Sequence, residues 1–217
     1  DFSVVGSSPE VLVGVKDQEV NIRPIAGTRK RGANAGEDAD ISADLLADEK
    51  ERAEHLMLLD LGRNDVGRVA QIGSVLVNTA FGLQKTSHLI HIVSDVTGKL
   101  LPECDVIDAL VAGFPAGTVS GAPKIRAMEI IDELETERRG IYSGCVGYFS
   151  AGGDMDTCIA LRTAVIKDDM LYVQAGGGVV YDSMPQYEYD ETVNKAEALF
   201  RAAEIAVDDA KIRKNRG

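Results

Sequence analysis

Hydrophobic and polar residues alternate in short runs at the start of the chain. FSVVG (2–6), EVLVGV (10–15) and EVNIRPI (19–25) are separated by turn residues, and each reads as a strand. Residues 26–40 are rich in Gly, Asn and Asp and read as a loop. From Ser42 the period lengthens, with Leu45, Leu46, Ala53, Leu56 and Leu59 near one helical face, and RNDVGR (63–68) is expected to end that helix. RVAQIGSVLV (68–77) and LIHIVSDVTGKL (89–100) return to a strand-like pattern, and 103–112 suits a short helix. GFPAGTVSGAP (113–123) leads into another helix, with Pro123 in its first turn and Ile125, Met128, Ile131 and Leu134 as its apolar face. GCVGYFS (144–150), TCIALRTAVI (157–166) and MLYVQA (170–175) read as strands, and a long helix over 186–208 closes the pattern. Runs of strands separated by a few long helices predict an α+β layered fold with mainly antiparallel sheets.

Composition narrows the class. At 217 residues, 45% hydrophobic and 27% charged, the chain has the make-up of a folded domain. A net charge of −12 argues against nonspecific binding to nucleic acid or an anionic membrane. No apolar run reaches the roughly 20 residues of a membrane helix, and no secretory signal pattern is present. Cys104, Cys145 and Cys158 form no C-x-x-C, so reduced thiols in a cytoplasmic protein are expected. The chain opens without Met on what reads as a strand under way, which suggests the C-terminal piece of a longer protein. KIRKNRG at the other end reads as a solvated tail.

Two acidic pairs stand out. DEKERAEH (48–55) sets Glu51 and Glu54 three apart, and YEYDETVNK (187–195) does the same with Glu188 and Glu191. A single such pair is most often a solvated helix face. If the two helices faced each other, four carboxylates would need a cation, and oxygen ligands without sulfur or clustered imidazole suit Mg²⁺, Mn²⁺ or Ca²⁺. Mg²⁺ takes few protein carboxylates and leaves positions for water or an anionic ligand. Three glycine-rich stretches suit such a ligand: AGTRKRG (26–32), AGTVSGAPK (116–124), which delivers N–H groups to a helix start, and QAGGGVV (174–180). None has the spacing of a Walker A or dinucleotide-binding loop, and each alone is more often a structural turn.

Taken together, SPE, PIAGTRKRG, DEKERAEHLMLLDLGRND, IHIVSDVTGKL, FPAGTVSGAPKIRAMEII, GCVGYF, ALRTAV, QAGGGVVYDS and DETVNKAEAL resemble the chorismate-utilising enzymes, within them the large subunit (component I) of anthranilate synthase. The resemblance implies two stacked antiparallel sheets with helices outside and a chorismate-binding catalytic domain over 1–208, which leaves 209–217 as a basic tail. It implies that chorismate and ammonia give anthranilate and pyruvate with Mg²⁺, in tryptophan biosynthesis, the ammonia coming from a glutamine amidotransferase subunit (component II). It also implies roles. Glu54 and Glu191 would bind Mg²⁺, with Glu51 and Glu188 supporting through water. Glu10 would be the general acid for the departing C4 hydroxyl, and His91 would stand near the ring carboxylate and assist loss of pyruvate. Tyr142 and Arg162 would grip the enolpyruvyl carboxylate, with backbone donors from Gly176, Gly177 and Gly178. Gly27, Thr28 and Thr118 would line the ring, and Lys195 would meet a substrate carboxylate or neutralise the acids. His55 and His88 are less suited to take part.

Ala26 separates branches of the family. Relatives making aminodeoxychorismate place there a lysine that attacks the ring, and alanine cannot. Isochorismate and salicylate synthases instead activate water with a lysine upstream of this chain. Some phenazine-pathway relatives stop at the amino intermediate, and a further alternative is a non-catalytic fragment, whose exposed strand edges would invite pairing with another chain.

Overall fold

The alternating runs at the start of the chain form β1 (Ser3–Gly6), β2 (Val11–Lys16), β3 (Glu19–Ile22) and β4 (Ile25–Lys30) in the computed structural model, which describes residues 1–214. Helices α1 (Ala35–Ala47) and α2 (Glu49–Gly67) follow, then β5 (Leu76–Lys85) and β6 (Leu89–Lys99). Three helices come next: α3 (Val106–Gly113), α4 (Gly117–Ser120) and α5 (Lys124–Leu134). Strands β7 (Cys145–Phe149), β8 (Met155–Ile159), β9 (Thr163–Lys167) and β10 (Met170–Val173) precede the long α6 (Pro185–Lys214). Every strand ladder among the described residues is antiparallel, as expected for this α+β class. No described helix is long and apolar enough to cross a membrane.

The chain divides into two units. The larger comprises Glu10–Arg138 and Cys145–Ile159 and is built on a seven-stranded sheet. Its centre is β6, which pairs with β5 along one edge and with β4 and then β3 along the other. The Arg23-Pro24 step between those two strands stays in the ladder, because the Pro24 carbonyl accepts from the Ser94 N–H at 3.1 Å. Beyond β3 the order continues through β2 and β8 to β7. Val13, Val15, Val20, Ile90, Ile92 and Val96 are wholly buried in this sheet, and Leu58, Leu59 and Val66 are buried on α2. Each such side chain contributes about 1.5–3 kcal/mol of hydrophobic stabilisation. The smaller unit holds β1, β9 and β10 in a three-stranded sheet, together with α6.

Several boundaries differ from the sequence pattern, each for a local reason. The expected loop over 26–40 is mostly β4 and α1. Asn34 starts α1 early by accepting from the Gly36 and Glu37 N–H groups. The helix break falls at Asp48, which caps α2 by accepting from Glu51 N–H, so RND lies inside the helix. The next strand begins at Leu76, and Ile72 before it is fully exposed. Pro123 is the N-cap of α5 and precedes its first turn, and the face of α5 expected to be buried is open, with Ile125, Met128 and Leu134 all exposed. Helix α6 continues to Lys214, through most of the expected basic tail, and residues 215–217 lie outside the described residues.

Candidate active site

In the larger unit, α2 decides which carboxylates face inward. Its packed side carries Glu51, Glu54, His55, Leu58, Leu59, Gly62, Asp65 and Val66, all buried or half-buried, whereas Ala53 and Leu56 are exposed. The Glu51–Glu54 pair is therefore on the packed side of the helix, and the apolar periodicity pointed one residue astray. His55 sets this rotation. It is wholly buried, its Nε2 lies 2.7 Å from Ser94 Oγ, and Ser94 Oγ also accepts from the Phe81 N–H at 3.1 Å. The imidazole packs against the Phe81 ring at 5.2 Å. Burial pushes His55 down to about 4, with the nearby Ala26 backbone opposing weakly, so the ring is neutral at physiological pH. Its Nδ1 has no partner at hydrogen-bond geometry.

Strand β4 lies beside this face. Arg29 reaches Glu51 at 3.0 Å, Asp48 at 2.7 Å and Asp44 at 3.3 Å. Burial works against its charge, but the three carboxylates outweigh that and raise its pKa. Gly27 interrupts the β4 register with φ +80, and a Cβ there would stand 3.2 Å from Glu51 Oε2. Ala26 pairs with Ile92 in the ladder. Thr28 Oγ1 lies 3.1 Å from His91 Nδ1. His91 is half-buried, His88 is exposed, and the wholly buried histidine is His55, on α2 against this sheet.

Glu10 leads into β2. Its carbonyl accepts from Ile159 N–H at 3.0 Å, and its carboxyl Oε2 accepts from the Thr118 hydroxyl at 3.1 Å. Below it lies an ion pair that sequence reasoning missed. Lys124 Nζ donates to Asp65 Oδ2 at 2.8 Å and to the Gly113 carbonyl at 3.3 Å, with both charged side chains about 5–6% exposed. Burial raises the Asp65 pKa, and Lys124 and Arg68 oppose the rise. The lysine of SGAPK is thus a buried partner for the RND aspartate. Arg29, His55, Asp65 and Lys124 carry no local spacing that marks them, because they meet only across the tertiary fold.

The smaller unit brings together a second group. Tyr142 lies in a segment tied to Ala160 by Ser143 N–H to Ala160 O at 3.1 Å and Ala160 N–H to Gly144 O at 2.9 Å. The Arg139 guanidinium lies 5.7 Å from the Tyr142 ring centroid. Arg162 is half-buried with φ +48, a conformation that long side chains seldom adopt, and its carbonyl accepts from Ser7 N–H at 3.1 Å. A Cβ on Gly176 would come within 2.8 Å of the Tyr142 hydroxyl, so a larger residue here would push that side chain aside. Lys195 Nζ donates to the Gly176 carbonyl at 3.1 Å and pairs with Glu191. Glu188 Oε2 lies 3.5 Å from where a Cβ on Gly177 would stand, and Gly178 is exposed. On α6 the half-buried stripe is Glu188, Glu191, Thr192 and Lys195, while Tyr187, Tyr189 and Val193 are exposed. This second acidic pair, too, is not on the most exposed side of its helix.

Among the described residues, no three His, Cys, Asp or Glu side chains gather as a ready-made metal cage. Each glutamate pair, Glu51 with Glu54 in the larger unit and Glu188 with Glu191 in the smaller, offers oxygen donors only, the ligand type that a hard dication takes.

Comparison with known proteins identifies the family. Residues 1–201 match the family model described as chorismate binding enzyme. Over 205 residues the chain is 67% identical to the anthranilate synthase component 1 of Cereibacter sphaeroides, covering 94% of this chain and 41% of that protein. It is 61% identical to the component 1 of Pseudomonas aeruginosa over 206 residues, covering 95% and 42%. The chain thus spans about two fifths of the length of these relatives. The crystal structure of anthranilate synthase component I from Streptococcus pneumoniae matches with a TM-score of 0.85 and 53% identity, over 92% of this chain and 44% of that one. The menaquinone-specific isochorismate synthase of Escherichia coli matches with a TM-score of 0.83 and 26% identity, over 92% and 45%. The fold is the one these chorismate-utilising enzymes share, and with a family match over 201 of its 217 residues the chain belongs to the chorismate binding enzyme family.

Proposed function

We propose that the protein to which this chain belongs is the large subunit of an anthranilate synthase. It would convert chorismate and ammonia to anthranilate and pyruvate in a Mg²⁺-dependent reaction, with ammonia supplied from glutamine by a partner subunit. The observation that carries this reading is the extent of identity with relatives bearing that name, at 67% over nearly the whole chain. Retention of Glu10, Glu54, His91, Tyr142, Arg162 and Glu191 supports catalysis over an inert fragment.

Glu54 on α2 and Glu191 on α6 would hold the cation, with Glu51 and Glu188 behind them through water. When bound, Mg²⁺ supplies Lewis-acid polarisation of the ring through its carboxylate. The other steps fall to side chains. Glu10, held by the Thr118 hydroxyl, protonates the departing C4 hydroxyl so that it leaves as water. With alanine at position 26 there is no amine to attack the ring, so free ammonia adds directly. His91, oriented by Thr28, stands ready for the proton movement that accompanies pyruvate loss. Arg162 and Tyr142 clasp the enolpyruvyl carboxylate, for which a planar guanidinium is well shaped, beside the N–H groups of 176–178. Lys195 holds Glu191 in place through their ion pair.

The test is product identity. The intact protein is given chorismate, Mg²⁺ and ammonium, and the aromatic product is separated and identified. Anthranilate is expected. Isochorismate or salicylate would move the protein to the water-using branch, and no turnover would favour a non-catalytic role.

A further inference from the structure

The seven-stranded unit contains a small cavity of about 30 Å³, bounded by Glu10, Arg23, Asp65 and Thr118 and otherwise by aliphatic side chains such as Leu12 and Leu58. That volume admits one or two water molecules and excludes a ring dicarboxylate. Asp65, in the cavity wall, is 3% exposed. Its Oδ2 takes the Lys124 ammonium, and its Oδ1 is buried without a hydrogen-bond partner. A carboxylate oxygen in that position is costly to leave unpaired, and a small cavity beside it with a few polar groups in its wall is the usual place for a structural water. Also in the wall, Glu10 receives the Thr118 hydroxyl on Oε2.

We propose that this cavity is a binding site for a single ordered water, which donates one O–H to Asp65 Oδ1 and the other to the Glu10 carboxyl. The water and Thr118 together fix the carboxyl of the general acid, and Asp65 is a positioning residue that acts through the water. The site exists independently of the reaction, whereas its effect on turnover rests on the anthranilate synthase reading.

Two double variants separate the water from the charges. Asp65→Asn with Lys124→Gln is uncharged but keeps an acceptor oxygen facing the cavity. Asp65→Leu with Lys124→Met is equally uncharged and has none. In crystals of the intact protein, density for a water bonded to Asp65 Oδ1 and Glu10 is expected in the wild type and in Asn/Gln, and is lost in Leu/Met. Turnover of chorismate should follow: kcat within a few-fold of wild type for Asn/Gln, but lower by tenfold or more for Leu/Met with KM unchanged. A wild-type cavity without that density overturns the site, and a Leu/Met variant with normal kcat overturns its role. If the water is present but no variant, nor the wild type, consumes chorismate, the site stands and the functional reading fails.

Discussion

Replacing Lys124 by methionine isolates the cost of the buried ion pair. Lys124 and Asp65 meet at 2.8 Å with about 5–6% of either charged side chain exposed, so removing the cation leaves a carboxylate with little access to water. Breaking a pair so deeply buried costs about 3–5 kcal/mol. Asp65 has an escape, because burial already raises its pKa and the lost lysine no longer opposes that rise. An acid whose folded pKa is raised binds its proton more tightly when folded, so the variant loses stability as pH climbs above the ordinary aspartate value near 4. The deficit against wild type should therefore be small near pH 4.5 and grow by about 1.4 kcal/mol per pH unit until it levels off at roughly 3–5 kcal/mol. Urea unfolding at several pH values measures it, provided the denaturant slope stays constant. A deficit independent of pH, or one below about 1 kcal/mol at pH 7.5, would refute this reasoning. The Leu/Met double variant, which buries no charge, should recover most of the loss.

Three further outcomes follow from close approaches and ion pairs. Gly27→Ala places a Cβ 3.2 Å from both Glu51 Oε2 and Ile92 Cδ1 at φ +80, so it should cost about 1–3 kcal/mol in unfolding experiments. Gly176→Ala drives a Cβ to within 2.8 Å of the Tyr142 hydroxyl, and steady-state kinetics of the intact enzyme should show a raised KM for chorismate with a smaller change in kcat. The Arg31 guanidinium at 2.7 Å, with the Gly32 N–H, holds the Asp38 carboxyl below the usual range. Its contribution is present above the ordinary aspartate pKa and lost as pH falls through the lowered one, so Asp38→Asn should flatten the stability profile below about pH 4.

The strands were legible because their alternation is local: β2, β3, β6 and β10 fall where the pattern put them. Helix phase was less so. On α2 the packed stripe runs through Glu51, His55 and Asp65, polar residues that a count of apolar positions places outside, and they are tolerated there by Arg29, Ser94 and Lys124. Those partners are 22, 39 and 59 residues away in sequence, beyond any short-range signal. The open face of α5 misleads in the opposite sense, since Ile125, Met128 and Leu134 are apolar yet exposed. The candidate site was read from family motifs rather than periodicity. For Glu10 with Thr118 and for Thr28 with His91, the fold supplies the hydrogen bonds.

The role proposed for Glu54 and Glu191 is to hold a divalent ion. Binding of Mn²⁺ to the intact protein in the presence of chorismate, followed by electron paramagnetic resonance, tests it without relying on turnover. Wild type should take up the ion, and Glu54→Gln and Glu191→Gln should each weaken uptake by tenfold or more with an unchanged circular dichroism spectrum. Uptake in either variant equal to that of wild type would contradict the account.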